Sequence, residues 1–155
     1  MRLWRLARAG QLALDREGAR LHGGRYSSPG RPVVSLASEA GLAVLVKLRY
    51  AMAEVVGMDG EYFLGWTEVE AVPERIDAGM SREDTTRWVD AWLESGRSLL
   101  AAIQSTVLPE ADVIFLNPLH GDARKVHPLV VRPFRFSKCL HRPPVLEQFQ
   151  DRPVE

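Results

Sequence analysis

Short apolar runs broken by polar turns dominate the first forty positions, and only after them does a helical period begin. Leu3 to Leu6 and Val33 to Ala37 read as short strands, the second entered through Pro29 and Pro32, which fix the approach to it. Ser38 has the character of an N-cap, and Glu39 follows in the first turn, where the helix dipole favours an acid. In SEAGLAVLVKLRYAMAEV, Leu42, Leu45, Val46, Arg49 and Met52 recur near helical spacing, which predicts a largely buried helix of about four turns. Tyr62 to Ala71 then alternates as a half-buried strand does.

The sharpest local signal lies further on. Ser81 and Asp84 have capping-box spacing, Trp88, Trp92 and Leu93 share one face, and Gly96 stops the helix. Ser98 to Ile103 and Val113 to Leu116 are apolar strand candidates, and Val126 to Phe136 carries two prolines, as an edge strand can. Strands outnumber helices and arrive in clusters, so the class is α+β, with helices packed on a mostly antiparallel sheet.

Composition narrows the function classes. A chain of 155 residues and 17.4 kDa has the size of one domain with a real core. Twenty basic and twenty acidic residues cancel, which disfavours general binding to nucleic acid or an anionic membrane. The balance is global but uneven along the chain: Met1 to Arg31 holds seven arginines against Asp15 and Glu17, so an anion can be handled there. Cys139 is the lone cysteine, which excludes an internal disulfide and fits a reducing cytoplasm. The N-terminal stretch lacks the apolar core of a signal peptide, and the polar, proline-rich residues 141–155 read as a surface arm beyond a domain spanning 1–140.

Standard catalytic motifs are absent: the chain has no P-loop, GxGxxG, HExxH or GxSxG. His22, His120, His127 and His141 have no metal-binding spacing, so no metal is expected. Three stretches remain. GARLHGGRYSSPGRPVV places Gly23 and Gly24, which permit close backbone approach, before the planar donor fork of Arg25 and the ring of Tyr26; by itself it reads first as a turn with an exposed arginine and second as the edge of an anion site. QSTVLPEADVIFLNPLHGD sets Ser105 and Asn117 at strand ends, where each can cap a turn or hold a sugar hydroxyl. The helix after Ser38 presents Val46, which periodicity alone assigns to packing.

Taken in order, these stretches resemble the RES domain, the toxin half of RES–Xre toxin–antitoxin modules. GARLHGGRYSSPGRPVV is similar to the family's GxRxxGGRWNxxGxPVVY, SEAGLAVLVKL to its serine-led SxxxALxExL helix, QSTVLPEADVIFLNP to PSxxVPxExNxLLNP, and a closing PFRF follows, about 130 residues counted from Trp4-Arg5 to Phe136. The resemblance implies a fold like the ADP-ribosyltransferase and diphtheria-toxin catalytic domains, with two small, mostly antiparallel sheets, flanking helices and an NAD⁺ cleft between the sheets. It implies NAD⁺ as substrate and, as partner, a DNA-binding Xre-type antitoxin that blocks the cleft. By position, Arg25 and Tyr26 would bind NAD⁺ phosphate or ribose and stack near nicotinamide, Ser105 would bond the nicotinamide-side ribose or carboxamide, and Ser38 and Asn117 would line the cleft. Arg25, Tyr26 and Ser105 are therefore the expected catalytic residues.

Two positions depart from the pattern: the family's glutamate falls on Val46 and its strand-end tyrosine on Ser35. A milder departure puts Ser137-Lys138-Cys139 where an acid–x–arginine often follows the closing motif. Valine cannot stabilise charge building on the anomeric carbon, and losing one such contact typically costs about 10²–10³ in rate. The expected activity is consequently transfer of ADP-ribose to a protein acceptor that supplies its own carboxylate, ahead of NAD⁺ hydrolysis or phosphorolysis, with an inactive antitoxin-binding relative as the third alternative.

Overall fold

The alternation of strand and helix periods carries through into the computed structural model, which describes residues 1–14, 25–51 and 60–139. In chain order these form strands β1 (Arg2–Arg8) and β2 (Val34–Ala37), helix α1 (Ala40–Ala51), strands β3 (Tyr62–Glu68) and β4 (Glu74–Arg75), helix α2 (Arg82–Ser95), and strands β5 (Leu100–Gln104), β6 (Asp112–Leu116) and β7 (Val130–Phe134). The expected domain boundary at 140, the arm 141–155, the Gly23-Gly24 pair, Met52, His22 and His141 lie outside the described residues.

All seven strands join one sheet, in the order β4-β5-β6-β2-β1-β3-β7. Only β4 and β5 run parallel. Here the structure departs from the expectation of two separate sheets, and the reason is visible at the centre. β1 pairs with β3 along its whole length, from Arg2↔Glu68 to Arg8↔Tyr62, but meets β2 at the single pair Trp4↔Ala37. That pair makes the sheet continuous while letting its halves splay. Arg5 fills the wedge: its Nη1 donates to the Ser35 carbonyl at 3.1 Å and its Nε to the Gln11 carbonyl at 3.1 Å. A ladder carbonyl without a strand partner is thereby satisfied.

Residues directly opposite in a ladder point to the same face. Trp4, Ala37, Ser35, Phe115 and Ala101 therefore share one face through their register, and both helices pack on it. α1 lays Leu42, Ala43 and Val46 over Leu6, Tyr62, Leu64, Phe134 and Phe136. α2 lays Val89, Trp92 and Leu93 over Ala101, Ile103, Phe115 and Val33. The opposite face is closed by Leu3, Val34, Leu36, Leu100, Ile114 and Leu116.

The α2 boundaries follow the sequence signals closely. Ser81 Oγ accepts the Asp84 N–H at 3.1 Å, and Gly96, at φ 57°, adopts the left-handed turn that lets its N–H reach the Trp92 carbonyl at 3.2 Å. Other boundaries move for local reasons. The strand expected from Ser98 begins at Leu100, because the Ser98 hydroxyl is taken up by Trp92 Nε1 and Glu74. The strand expected to reach Ala71 ends at Glu68. The Ser38 hydroxyl, expected to cap α1, accepts the Asp112 N–H at 2.9 Å and so ties the end of β2 to the start of β6. The two-residue β4 carries no period that a sequence can show. At the β7 edge, a Cβ on Gly65 would lie 2.9 Å from Val131 Cγ1, so glycine permits that strand to close in.

Candidate functional site

The face carrying both helices leaves an opening between them, floored by β2. Ser35 is exposed there although its ladder partner Phe115 is buried, because neither helix reaches over it.

One wall is the segment Arg25 to Pro32, held on the flank of α2 by three ties. Arg82 Nε donates to the Arg25 carbonyl at 3.4 Å. Asp90 accepts from Ser28 twice, from its N–H at 3.1 Å and its hydroxyl at 2.5 Å. Arg31 and Glu94 form an ion pair. Asp90 and Glu94 are one helical turn apart, which puts both on one flank while Val89 and Leu93 face the core. None of these three α2 side chains stood out in the sequence; the signal available was a polar i, i+4 pair bordering a strongly apolar face.

At the head of that segment, Tyr26 lies edge-on to Phe115 with ring centroids 5.7 Å apart and planes at 71°. The Arg25 guanidinium sits 5.4 Å from the Tyr26 centroid, and the Arg25 side is exposed. Arg25 and Tyr26 are thus presented together next to the Ser35 floor.

Ser38 and Ser105 meet at one end of the sheet. Ser38 N–H donates to the Asp112 carbonyl at 3.0 Å and Ser105 N–H to the Ala111 carbonyl at 2.9 Å, so the first residue of β6 and the one before it anchor both. Ser105 is buried, and its hydroxyl accepts the N–H groups of Val107 and Leu108 at 3.1 and 3.3 Å, which shapes the turn beside the start of α1. A cavity of about 580 Å³ opens at this end and is lined by Ser38, Trp4, Glu39, Arg75 and Asp112 among others.

Asn117 is not brought to that end. It follows β6 at the other end of the hairpin, a distance of roughly 15 Å for a five-residue strand. Fully buried, it donates from Nδ2 to the Leu93 carbonyl at 3.3 Å and accepts the Leu119 N–H on Oδ1 at 2.9 Å, joining the end of α2 to the turn after β6.

The other wall is α1. Val46, half-buried, packs against the apolar cluster under the helix. Lys47 follows it, half-buried, and its pKa is held below the ordinary lysine value by burial and then by the neighbouring Arg5 and Arg8 charges. Arg5 is itself lowered by burial. Among the described residues no group of three or more His, Cys, Asp and Glu side chains could hold a metal ion, and no helix is long and apolar enough to cross a membrane.

A family model, the RES domain, matches residues 2–138. The protein named Toxin Res of Photorhabdus laumondii subsp. laumondii is 27% identical over 135 residues, covering 81% of this chain and 86% of that protein. The Prs ADP-ribosylating toxin of a Sphingobium species is 27% identical over 143 residues, covering 83% and 87%. In solved structures, a chain of the Mycobacterium tuberculosis MbcT–MbcA toxin–antitoxin complex superposes on 96% of this chain and 87% of its own length, with a TM-score of 0.67 at 16% identity.

Proposed function

The chain belongs to the RES domain family, and on that premise we propose that it is the toxin of a toxin–antitoxin module, an enzyme that takes NAD⁺ and transfers its ADP-ribosyl group to a protein. The name of the Sphingobium relative supports ADP-ribosylation, and the fold shared with a toxin–antitoxin complex supports an antitoxin partner. We assign that partner to the Xre-type DNA-binding class, with a segment blocking the cleft, and the site of action to the cytoplasm. The neutral chain fits leaving DNA contact to such a partner.

The observation that carries the proposal is the joint presentation of Arg25 and Tyr26 over the open floor at Ser35. In the reaction the bond from ribose C1′ to the nicotinamide nitrogen breaks, nicotinamide leaves with the electron pair, and an acceptor oxygen or nitrogen bonds to C1′ and loses its proton. Arg25 holds a phosphate or ribose oxygen with a charge-assisted donor fork. Tyr26, braced by Phe115, offers its free side to the nicotinamide end. Ser38 and Ser105 border the ribose end, and Asn117 acts from a distance by fixing the turn after β6. Val46 provides no negative charge for the developing oxocarbenium ion, so water is a poor acceptor and a protein carboxylate near C1′ a better one.

The packing of Val46 also favours a second reading, an inactive relative that only binds the antitoxin. One experiment separates the two. Purified protein incubated with labelled NAD⁺ and cell lysate is expected to mark one or a few protein bands, and Arg25→Ala to reduce the mark by about 10²-fold or more. Label released wholly as free ADP-ribose sinks the transferase assignment in favour of hydrolysis. Intact NAD⁺ with no label transferred leaves the inactive relative.

A further inference from the structure

We propose that the cavity at the end of the sheet anchors an arginine side chain of the acceptor protein, with Glu39 holding the guanidinium and Trp4 forming the wall beside it. The role in acceptor choice rests on the transferase reading above; the guanidinium site itself rests on the geometry of the cavity.

The cavity exists because a strand stops. β2 lies between β1 and β6 and ends at Ala37, the residue that pairs with Trp4 on one side and with Val113 on the other. Past that point β1 still carries Leu3 and Arg2, and β6 still carries Asp112, with no strand between them. The resulting gap of about 580 Å³ is walled by buried Leu3 and Ile114 and by Trp4, Val72 and Pro73. Such a sleeve, mostly apolar with a few polar groups, has the size and lining of a ligand site.

Charge decides what the sleeve takes. Arg75 donates to both Asp112 carboxylate oxygens, at 2.6 and 3.1 Å, so each neutralises the other. Arg2 donates to Glu68 at 2.9 Å and lies 5.9 Å from the Trp66 centroid, and the Met1 amino group is turned to the Val69 carbonyl at 2.7 Å. Glu39 is exposed, and among the described residues its carboxylate has neither a hydrogen bond nor an ion pair. Apolar walls with one unmatched carboxylate suit an amphipathic cation, whose methylenes lie along the walls while its head reaches the acid. A guanidinium suits the place better than an ammonium, because its planar fork meets a carboxylate with two N–H groups and its weaker hydration lets it lie against an indole. Ser38 also lines the cavity, three residues past Ser35 and so roughly 10 Å along the chain. An arginine anchored there leaves the floor at Ser35 clear for the reacting groups, and its neighbours in the acceptor reach that floor within about three extended residues.

The test uses the whole chain and acetyl-arginine methylamide, with the neutral isostere acetyl-citrulline methylamide as control, both titrated by NMR. The arginine compound is expected to bind with a dissociation constant on the order of 1 mM, more weakly as salt rises, and to shift the Trp4 indole and Glu39 amide signals. The citrulline compound should do neither. Glu39→Gln should weaken binding about fivefold. Val72 is 90% exposed, so changing its charge spares the fold: Val72→Lys should weaken binding about two- to threefold and Val72→Glu tighten it as much. Equal binding of the citrulline compound, or unchanged binding in all three variants, overturns the guanidinium site. Competitive displacement of the arginine compound by NAD⁺ also overturns it, since the cavity would then belong to the dinucleotide. The role is read from the labelled NAD⁺ reaction with lysate, where the arginine compound at ten times its dissociation constant should lower protein labelling about tenfold. Binding that leaves labelling unchanged keeps the guanidinium site and overturns the acceptor as its source. Binding by a chain that transfers no label keeps the site and overturns the transferase reading together with the anchor's role.

Discussion

The two halves of the sheet handle charge in opposite ways. Around α2 nearly every charge is matched: Arg97 holds Glu74 through contacts of 2.9 to 3.0 Å and lies 5.0 Å from the Trp88 ring, Ser98 bridges Glu74 to Trp92, and Arg75 grips Asp112 with both Nη atoms. Around α1 the packing is aromatic, with the Phe136 ring 5.1 Å from both Tyr62 and Phe134, and half-buried Lys47 has its pKa lowered by burial and then by the Arg5 and Arg8 charges. Matched charges fix geometry, and on the α2 side what they fix is the segment carrying Arg25 and Tyr26. A cation half-buried among like charges costs stability instead.

The strongest way to break this contrast is to excavate each core in turn. Trp92 and Phe136 are both fully buried, so Trp92→Ala and Phe136→Ala should each lower the unfolding free energy by about 3–5 kcal/mol in urea titrations. Their local effects should differ. Trp92→Ala also frees Ser98 and undermines α2, so amide exchange of residues 25–31 should quicken sharply; Phe136→Ala should leave it near the wild-type rate. Equal exchange in both variants would mean that α2 does not hold that segment.

Asp90→Ala acts on the same segment with less damage. It removes both acceptors of Ser28, which should cost about 1–3 kcal/mol and lower ADP-ribosyl transfer by roughly tenfold through a looser Arg25. Asp90→Asn keeps an acceptor for the Ser28 N–H and should recover most of the activity. A transfer rate unmoved in Asp90→Ala would show that the ties along α2 are structural alone.

What the sequence disclosed follows the same division. α2 was legible to the residue at both ends, because Ser81 and Gly96 act through bonds to their own helix. The edge character of β7 was legible because proline forbids an inner position. The fusion of two half-sheets through Trp4↔Ala37 was not, since one ladder pair leaves no period. Arg25 and Tyr26 could be singled out from their glycine-rich setting, but Asp90, Glu94 and Arg82, which hold that segment, are distant in sequence and resemble any solvated helix flank. The bond from Arg5 to the Ser35 carbonyl was hidden for the same reason: it depends on how β2 meets β1. Ser38 shows the reverse error, a residue with a plausible local role whose hydroxyl is engaged by a strand 74 residues away.

The smallest effect expected separates the halves by pH. Glu74 has its pKa held below the ordinary carboxylate value, chiefly by the hydrogen bond from Arg97. Its folded form binds protons more weakly than the unfolded chain, so its contribution is present above the ordinary carboxylate range and fades as pH falls through the depressed value. Lys47 is also lowered, by burial first, but it is a base, so the folded state is penalised while the ammonium is charged; stability climbs as pH rises from the depressed value toward the ordinary lysine one. Denaturation midpoints measured across pH should therefore show an acid limb that Glu74→Gln flattens and an alkaline rise that Lys47→Gln flattens. The acid change should be no more than about 1 kcal/mol, because the Glu74–Arg97 pair is partly exposed and screened. If Glu74→Gln leaves the acid limb as it was, the matched charges around α2 order that half without stabilising it, and the contrast between the halves is one of geometry rather than of energy.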